Sequence, residues 1–144
     1  MKAKEALREF FGDIAMESRP VPWEYSDYYE KELGAPLHRS FLFFRQRARP
    51  DRLPDIKLMT NEVEARLSEG GKRAINLDPG YLTAHNVVLA STKNYAHRIF
   101  LGKGIYGEVT LVFREGRYRP HLFTYRDYAS EQCIELFAQA RMLL

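Results

Sequence analysis

The sequence has one cysteine and no long hydrophobic run. Cys133 has no second cysteine with which it could form a disulfide bond within the chain. Purely apolar runs such as residues 87–90 are far shorter than the roughly 20 residues that a membrane-spanning helix needs. The first residues contain no apolar stretch of the signal-peptide type. We therefore expect a cytoplasmic protein without a membrane partner.

Motifs of several common enzyme classes are also absent from the sequence. There is no G-x-x-x-x-G-K-[ST] motif, which excludes a P-loop nucleotide site, and no G-x-S-x-G motif to position a nucleophilic serine. The four histidines stand singly, and the sequence has no C-x-x-C or H-x-x-x-H pair to ligate zinc. We predict no metal site, with a carboxylate site that includes Asp27 or Asp78 as the open alternative. The cofactor, if the protein uses one, is unknown from these residues.

The composition is that of an ordinary globular protein with a mild excess of positive charge. Hydrophobic residues make up 45% and charged residues 28%, which predicts one domain over residues 1–144 with its own core. The net charge of +3 is too small to identify a nucleic-acid partner by itself. Arginines are concentrated in residues 39–52 and 114–119, where we expect solvated strand ends.

The spacing of apolar residues predicts three helices. Apolar residues at intervals of three and four indicate an amphipathic helix over residues 2–11. A second helix is predicted over residues 53–68, with Pro54 in its first turn and two glycines after its end. The third is predicted over residues 130–143, with Ser130 as its N-cap. We expect the apolar stripes of these helices to pack on a sheet.

Short apolar and alternating segments predict the strands of that sheet. Strands are expected at residues 37–45, 72–77, 86–92, 96–101 and 108–113. The first is apolar on both faces, so we expect it to be central, and the last two are joined by a glycine-rich hairpin. Residues 78–80 favour a turn. Runs of adjacent strands predict an α+β fold: an antiparallel or mixed sheet with about three helices packed on it, ferredoxin-like in part.

A set of short stretches carries a resemblance to a known family. In chain order they are DYYEKE (27–32), IKLMTNE (56–62), NLDPGYL (76–82), KNYAHRI (93–99), GKGIY (102–106), EVTL (108–111) and YRDY (125–128). Together they cover nearly the whole chain, which resembles the bacterial domain-of-unknown-function family numbered 4416. That family begins with a strand before the first helix, so the resemblance implies that this chain lacks the usual first strand. It implies no reaction.

The glycine-rich stretch at residues 102–109 matches the pattern G-x-G-x-x-G-x-V of protein kinases. Backbone N–H groups in such a loop can hold an anion, and Lys103 would add a positive charge. The sequence has no H-R-D or D-F-G motif, however, and is too short for a kinase. Glycines that allow a tight hairpin turn are the better interpretation.

Charged residues within the predicted hairpin are the strongest candidates for a site. Arg98 and Glu108 lie on neighbouring strands, and in one register they form a cross-strand ion pair. The alternative is an anion pocket in which Glu108 orients Arg98. His97 is a weak candidate for a general acid or base and, equally, for a structural hydrogen-bonding partner, because alternation directs it away from Arg98 unless the strand ends there. The predicted ligand-binding residues are Arg98, Lys93, Lys103, Glu108, Asp78, Tyr81, Asp27 and Tyr28.

Two functions remain open at this point. The first is binding of a small phosphate- or carboxylate-bearing ligand, which leaves open whether the protein is an enzyme. The second is an RNA- or protein-binding module that uses an Arg- and Tyr-rich sheet face, although the RNP1 sequence pattern is absent. Because the usual first strand is missing, a sheet edge is left to pair with another chain, and we expect a homodimer.

Overall fold

The structure is a computed structural model that describes residues 2–23, 33 and 37–144. Its helices are α1 (Lys2–Phe11), α2 (Leu53–Arg66) and α3 (Glu131–Arg141), and a 3-10 turn (Pro50–Arg52) precedes α2. Its strands are β1 (Ile14–Glu17), β2 (Val21–Pro22), β3 (His38–Arg39), β4 (Leu42–Phe44), β5 (Gly80–Leu82), β6 (Asn86–Ser91), β7 (Arg98–Gly102), β8 (Ile105–Arg114) and β9 (Arg117–Arg119). Every pairing of these strands is antiparallel. The predicted α+β fold class is confirmed.

The chain divides into two compact units. One unit contains Met1–Arg47 and Leu58–Leu77, and the other contains Ala48–Lys57 and Asp78–Leu144. Helix α2 begins in the second unit and continues in the first. That the whole chain is a single domain stays a prediction.

In the first unit, two predictions about strands are wrong. Residues 37–45 form two short strands instead of one central strand: β3 pairs with β2, and β4 pairs with β1. The side chain of Ser18 accepts a hydrogen bond from the N–H of Phe41, which lies between the two strands, at 2.8 Å. Residues 72–77 form no strand. Lys72 makes only an isolated bridge to Glu69, because two glycines with positive φ reverse the chain between them.

The second unit contains a five-stranded sheet with the order β5-β6-β8-β7, in which β9 also pairs with β8. Four consecutive residues of β6 are buried, and Val88 and Ala90 form a core cluster with Leu53 and Ile105. The predicted hairpin between β7 and β8 is confirmed. Its two-residue turn consists of Lys103 and Gly104, both with positive φ, so Gly104 supplies the conformation that the turn requires.

Strands β5 and β9 were not predicted from the sequence. Strand β5 begins within the predicted turn at residues 78–80, and β9 lies in the arginine-rich segment after β8. At the end of the chain, Ser130 is the N-cap of α3, as predicted, and its hydroxyl accepts a hydrogen bond from the N–H of Cys133. Phe137 of α3 is buried and contacts the ring of Tyr118 in β9, with centroids 6.4 Å apart. None of the described helices has the length and hydrophobicity to cross a membrane.

Candidate functional site

Glu108 lies in the middle of the sheet and is almost fully buried. It is 2% exposed, and its Cα partners are Leu89 in β6 and Arg98 in β7. The two-residue turn pairs Gly102 with Ile105, and a β-bulge between Phe100 and Gly102 shifts the register by one residue, which places Arg98 opposite Glu108. Arg98 Nε donates a hydrogen bond to Glu108 Oε1 at 3.2 Å. The cross-strand ion pair proposed from the sequence is therefore present.

His97 binds the second oxygen of the same carboxylate. Its Nε2 lies 3.0 Å from Glu108 Oε2. Strand β7 begins at Arg98, so His97 stands just outside the strand and does not follow its alternation of faces. This is the strand-end exception that the sequence left open. We call Glu108, His97 and Arg98 the Glu108 cluster.

The remaining nitrogens of the Arg98 guanidinium are also hydrogen-bonded. Nη1 donates to the main-chain carbonyl of Lys93 at 3.0 Å, and Nη2 donates to the Tyr125 hydroxyl at 2.7 Å. The guanidinium also lies 5.9 Å from the centroid of the Tyr95 ring, a cation–π distance. Arg98 therefore connects the buried carboxylate to two tyrosines rather than presenting an open fork to a ligand.

The imidazole of His97 is packed between aromatic rings. It stacks on Phe123 with centroids 4.8 Å apart and planes 6° from parallel, and it meets Tyr95 edge-on at 5.5 Å. Its Nδ1 is buried and has no hydrogen-bond partner among the described residues. With one nitrogen at Glu108 and the other enclosed, this geometry favours a positioning role over general acid–base chemistry.

The rings of three residues around the Glu108 cluster face solvent, and we call them the aromatic platform: Tyr95, Phe123 and Tyr125. Their exposed fractions are 61%, 41% and 47%. The segment that carries Phe123 is held by His121, whose Nε2 bonds the carbonyl of Val109 and whose Nδ1 accepts from the N–H of Phe123 at 3.1 Å. The structure thus brings a buried charged cluster together with exposed aromatic side chains.

Comparison with protein families shows to which family the chain is related. The family model described as "Domain of unknown function (DUF4416)" matches residues 1–143. The chain belongs to this family. The resemblance drawn from the short stretches is confirmed. Comparisons with curated proteins and with solved structures found no match.

Several residues predicted for the site of this DUF4416 member lie elsewhere. Lys103 is in the turn at the far end of the hairpin, five residues beyond Arg98, or about 17 Å along an extended strand. There its ammonium group pairs with Asp55 in the first turn of α2. The hydrogen bond from Lys103 is the main reason why the pKa of Asp55 is below its ordinary value of 3.8. Lys103 and Arg98 do not form one anion pocket.

The other predicted ligand-binding residues are distributed as follows. Lys93 is exposed and contributes its main-chain carbonyl to Arg98. Tyr81 packs against the core cluster of the second unit, and Asp78 is exposed before β5. Asp27 and Tyr28 lie outside the described residues. In the described part of the chain, no group of three or more His, Cys, Asp or Glu residues could hold a metal ion.

Buried polar residues of α2 were missed by the sequence reasoning. Lys57, Thr60 and Glu64 are 8%, 3% and 8% exposed. The carboxylate of Glu64 accepts a hydrogen bond from the N–H of Leu77 at 2.6 Å, and Arg73 Nη1 lies 3.8 Å from it. The signal was the spacing of three and then four residues, which places polar groups on one side of a helix. The three residues lie next to the apolar stripe of the predicted helix, so their own spacing was not considered separately.

Proposed function

We propose that the chain binds a nucleotide-type ligand, meaning a planar ring that carries a phosphate or carboxylate group, at the aromatic platform. The observation that carries the proposal is that three exposed aromatic rings are held in place by a buried ionic cluster. Tyr95 and Phe123 contact each other, with ring centroids 6.1 Å apart. Exposed aromatic residues are common in binding sites, because each ring offers a large area for stacking.

Fixation of the rings before binding supports this function. Tyr125 is hydrogen-bonded to Arg98, and Phe123 is stacked on His97, so neither ring has to be ordered by the ligand. Loss of side-chain freedom on binding costs about 0.5–1.5 kcal/mol for each immobilised side chain. Rings that are already ordered avoid much of that cost.

The charges near the platform favour an anionic substituent on that ligand. Lys93 and Arg126 are exposed next to Tyr95 and Tyr125 in the chain. The Glu108 carboxylate is buried and already bound by Arg98 and His97. A phosphate or carboxylate group on the ligand would therefore meet positive charge. The proposal is one of binding, and it assigns no reaction.

The test is a thermal-shift and calorimetric titration with AMP and UMP, alongside inorganic phosphate and acetate. We expect the mononucleotides to raise the melting temperature and the two ringless anions to leave it unchanged, because stacking supplies most of the binding. Tyr95→Ala should abolish the shift. Phe100→Ala is the matched control, because Phe100 is 58% exposed but packs on Tyr106 outside the platform. Equal binding by both variants, or no binding by the parent, would refute the proposal.

A homodimer through β7 is a second candidate function, favoured by a different observation. Ile99, Phe100 and Leu101 are 70%, 58% and 44% exposed, and β7 pairs only with β8 among the described strands. An apolar edge strand readily adds a strand from another chain. Light scattering at micromolar concentration should then give the mass of a dimer, and Ile99→Lys should give that of a monomer. A monomeric parent would count against the pairing.

A further inference from the structure

A groove next to the β8–β9 hairpin lies outside the aromatic platform. It is an open surface depression with a volume of about 300 Å³, lined by Arg114, Arg117, Arg119 and Glu131, among others. We call it the arginine groove. Arg114 and Arg117 are Cα partners across the hairpin, and Arg119 follows Arg117 at the two-residue spacing that places side chains on one face of a strand.

Positive charge exceeds negative charge in the arginine groove. Arg117 pairs with Glu131 at 3.0 Å, and Arg119 lies 3.5 Å from Glu115, but these carboxylate side chains are 84% and 73% exposed. The side chain of Arg114 has no ion pair among the described residues. Exposed ion pairs contribute little stability, so both arginines can exchange an exposed carboxylate for the stronger bidentate contacts of a phosphate.

One continuous segment connects the arginine groove to the aromatic platform. Arg119 lines the groove, and Phe123 of the platform follows it four residues later, within about 14 Å even for a fully extended chain. Residues 117–126 read RYRPHLFTYR; Tyr118 of this segment is buried in the core, and its exposed aromatic residues are Phe123 and Tyr125. Successive bases on aromatic rings and a phosphate backbone on basic groups are the features of single-strand binding.

We infer that the ligand is a single-stranded nucleic acid, for which a short RNA is the probe, with bases on the aromatic platform and backbone phosphates in the arginine groove. This inference rests on the proposed function and makes it more specific. A mononucleotide would occupy the platform alone, whereas a short RNA would span both sites. The arginine groove then contributes affinity without base specificity, since its contacts go to phosphates.

The experiment compares binding of UMP and of a short fluorescent oligouridine by the parent and by Arg114→Gln/Arg119→Gln. The double variant should bind the RNA roughly tenfold more weakly and should bind UMP as the parent does. The dependence of log K on log salt should decrease by about 0.7 for each phosphate contact that is lost. Arg8→Gln/Arg19→Gln removes two charges from exposed residues of the other unit and is the matched control.

The outcomes separate the inference from the proposed function. If the parent binds UMP but both double variants bind RNA equally well, the arginine groove is not part of the RNA path and only the inference fails. If the parent binds neither UMP nor RNA, the proposed function fails as well. RNA binding that depends on the arginines but is unaffected by Tyr95→Ala would overturn the inference too, because the groove would then be a phosphate site unconnected to the platform.

Discussion

The β7–β8 hairpin has an ion pair at each end, and the two pairs differ in almost every physical respect. At the open end, the side chains of Glu108 and Arg98 are 1% and 11% exposed, and every oxygen of the carboxylate has a partner. At the turn, Lys103 and Asp55 form a pair whose side chains are 59% and 31% exposed. Sequence reasoning treated Arg98, Glu108 and Lys103 as neighbours in one site.

The difference lies in how much water each charge loses. A buried carboxylate has given up its hydration and depends on protein partners, so removal of one partner leaves an uncompensated charge. An exposed pair retains most of its hydration and is screened by salt. We therefore expect the buried Glu108–Arg98 pair to contribute more to the free energy of unfolding than the exposed Lys103–Asp55 pair at the turn.

The largest effect is expected for Glu108→Gln. This change keeps the size of the side chain but leaves the Arg98 charge buried without its counter-charge, which we expect to lower the free energy of unfolding by about 3–5 kcal/mol. Urea denaturation measures the change. Glu115→Gln, which removes an exposed carboxylate from the β8–β9 turn, serves as the control and should stay within about 0.5 kcal/mol of the parent. Similar changes in the free energy of unfolding for the two variants would contradict the expected difference between buried and exposed ion pairs.

A smaller effect is expected for Arg98→Lys, which keeps the charge and removes the planar fork. The variant loses the hydrogen bonds to the Lys93 carbonyl and the Tyr125 hydroxyl, so we expect a loss of about 1–3 kcal/mol. Because Tyr125 loses its anchor, nucleotide binding should also weaken. A stability loss with unchanged binding would mean that Arg98 stabilises the sheet and has no part in holding the platform.

The smallest effect is expected for Lys103→Gln at the turn end. The folded-state pKa of Asp55 is lowered, so its contribution to stability is present above the ordinary value of 3.8 and is lost as pH falls through the folded pKa. The parent should lose that contribution as the pH falls below 3.8, and Lys103→Gln should retain only the smaller part that Arg52 supplies to Asp55. Denaturation curves along this pH range, at low and high salt, measure the difference. A change as large as that of Glu108→Gln would contradict the comparison.

The sequence predicted features that depend on neighbouring residues and missed those that depend on distant ones. Helix α1 and the Ser130 cap follow from local spacing, and the hairpin follows from its glycines. Strand β9 and the division of residues 37–45 depend on pairing partners elsewhere in the chain, which a local pattern does not identify.

The same limit applies to the candidate site. The Arg98–Glu108 pair was predicted because both residues belong to one hairpin. Phe123 was not predicted, because its contact with His97 joins segments that are far apart in sequence. The exposure of its ring depends on that tertiary contact, which the periodicity of apolar residues does not predict.

Strand β8 pairs with three other strands, which has a consequence for the order in which the second unit folds. Its pairings with β7 and β9 close two-residue turns, and β5 lies close to β6 in the chain. The pairing of β6 with β8, in contrast, joins Asn86 to Val112 and must enclose the whole of β7. Closing the longest loop costs the most chain entropy before any contact forms. We therefore expect docking of two preformed hairpins along β6 and β8 to be the step that sets the folding rate of this sheet.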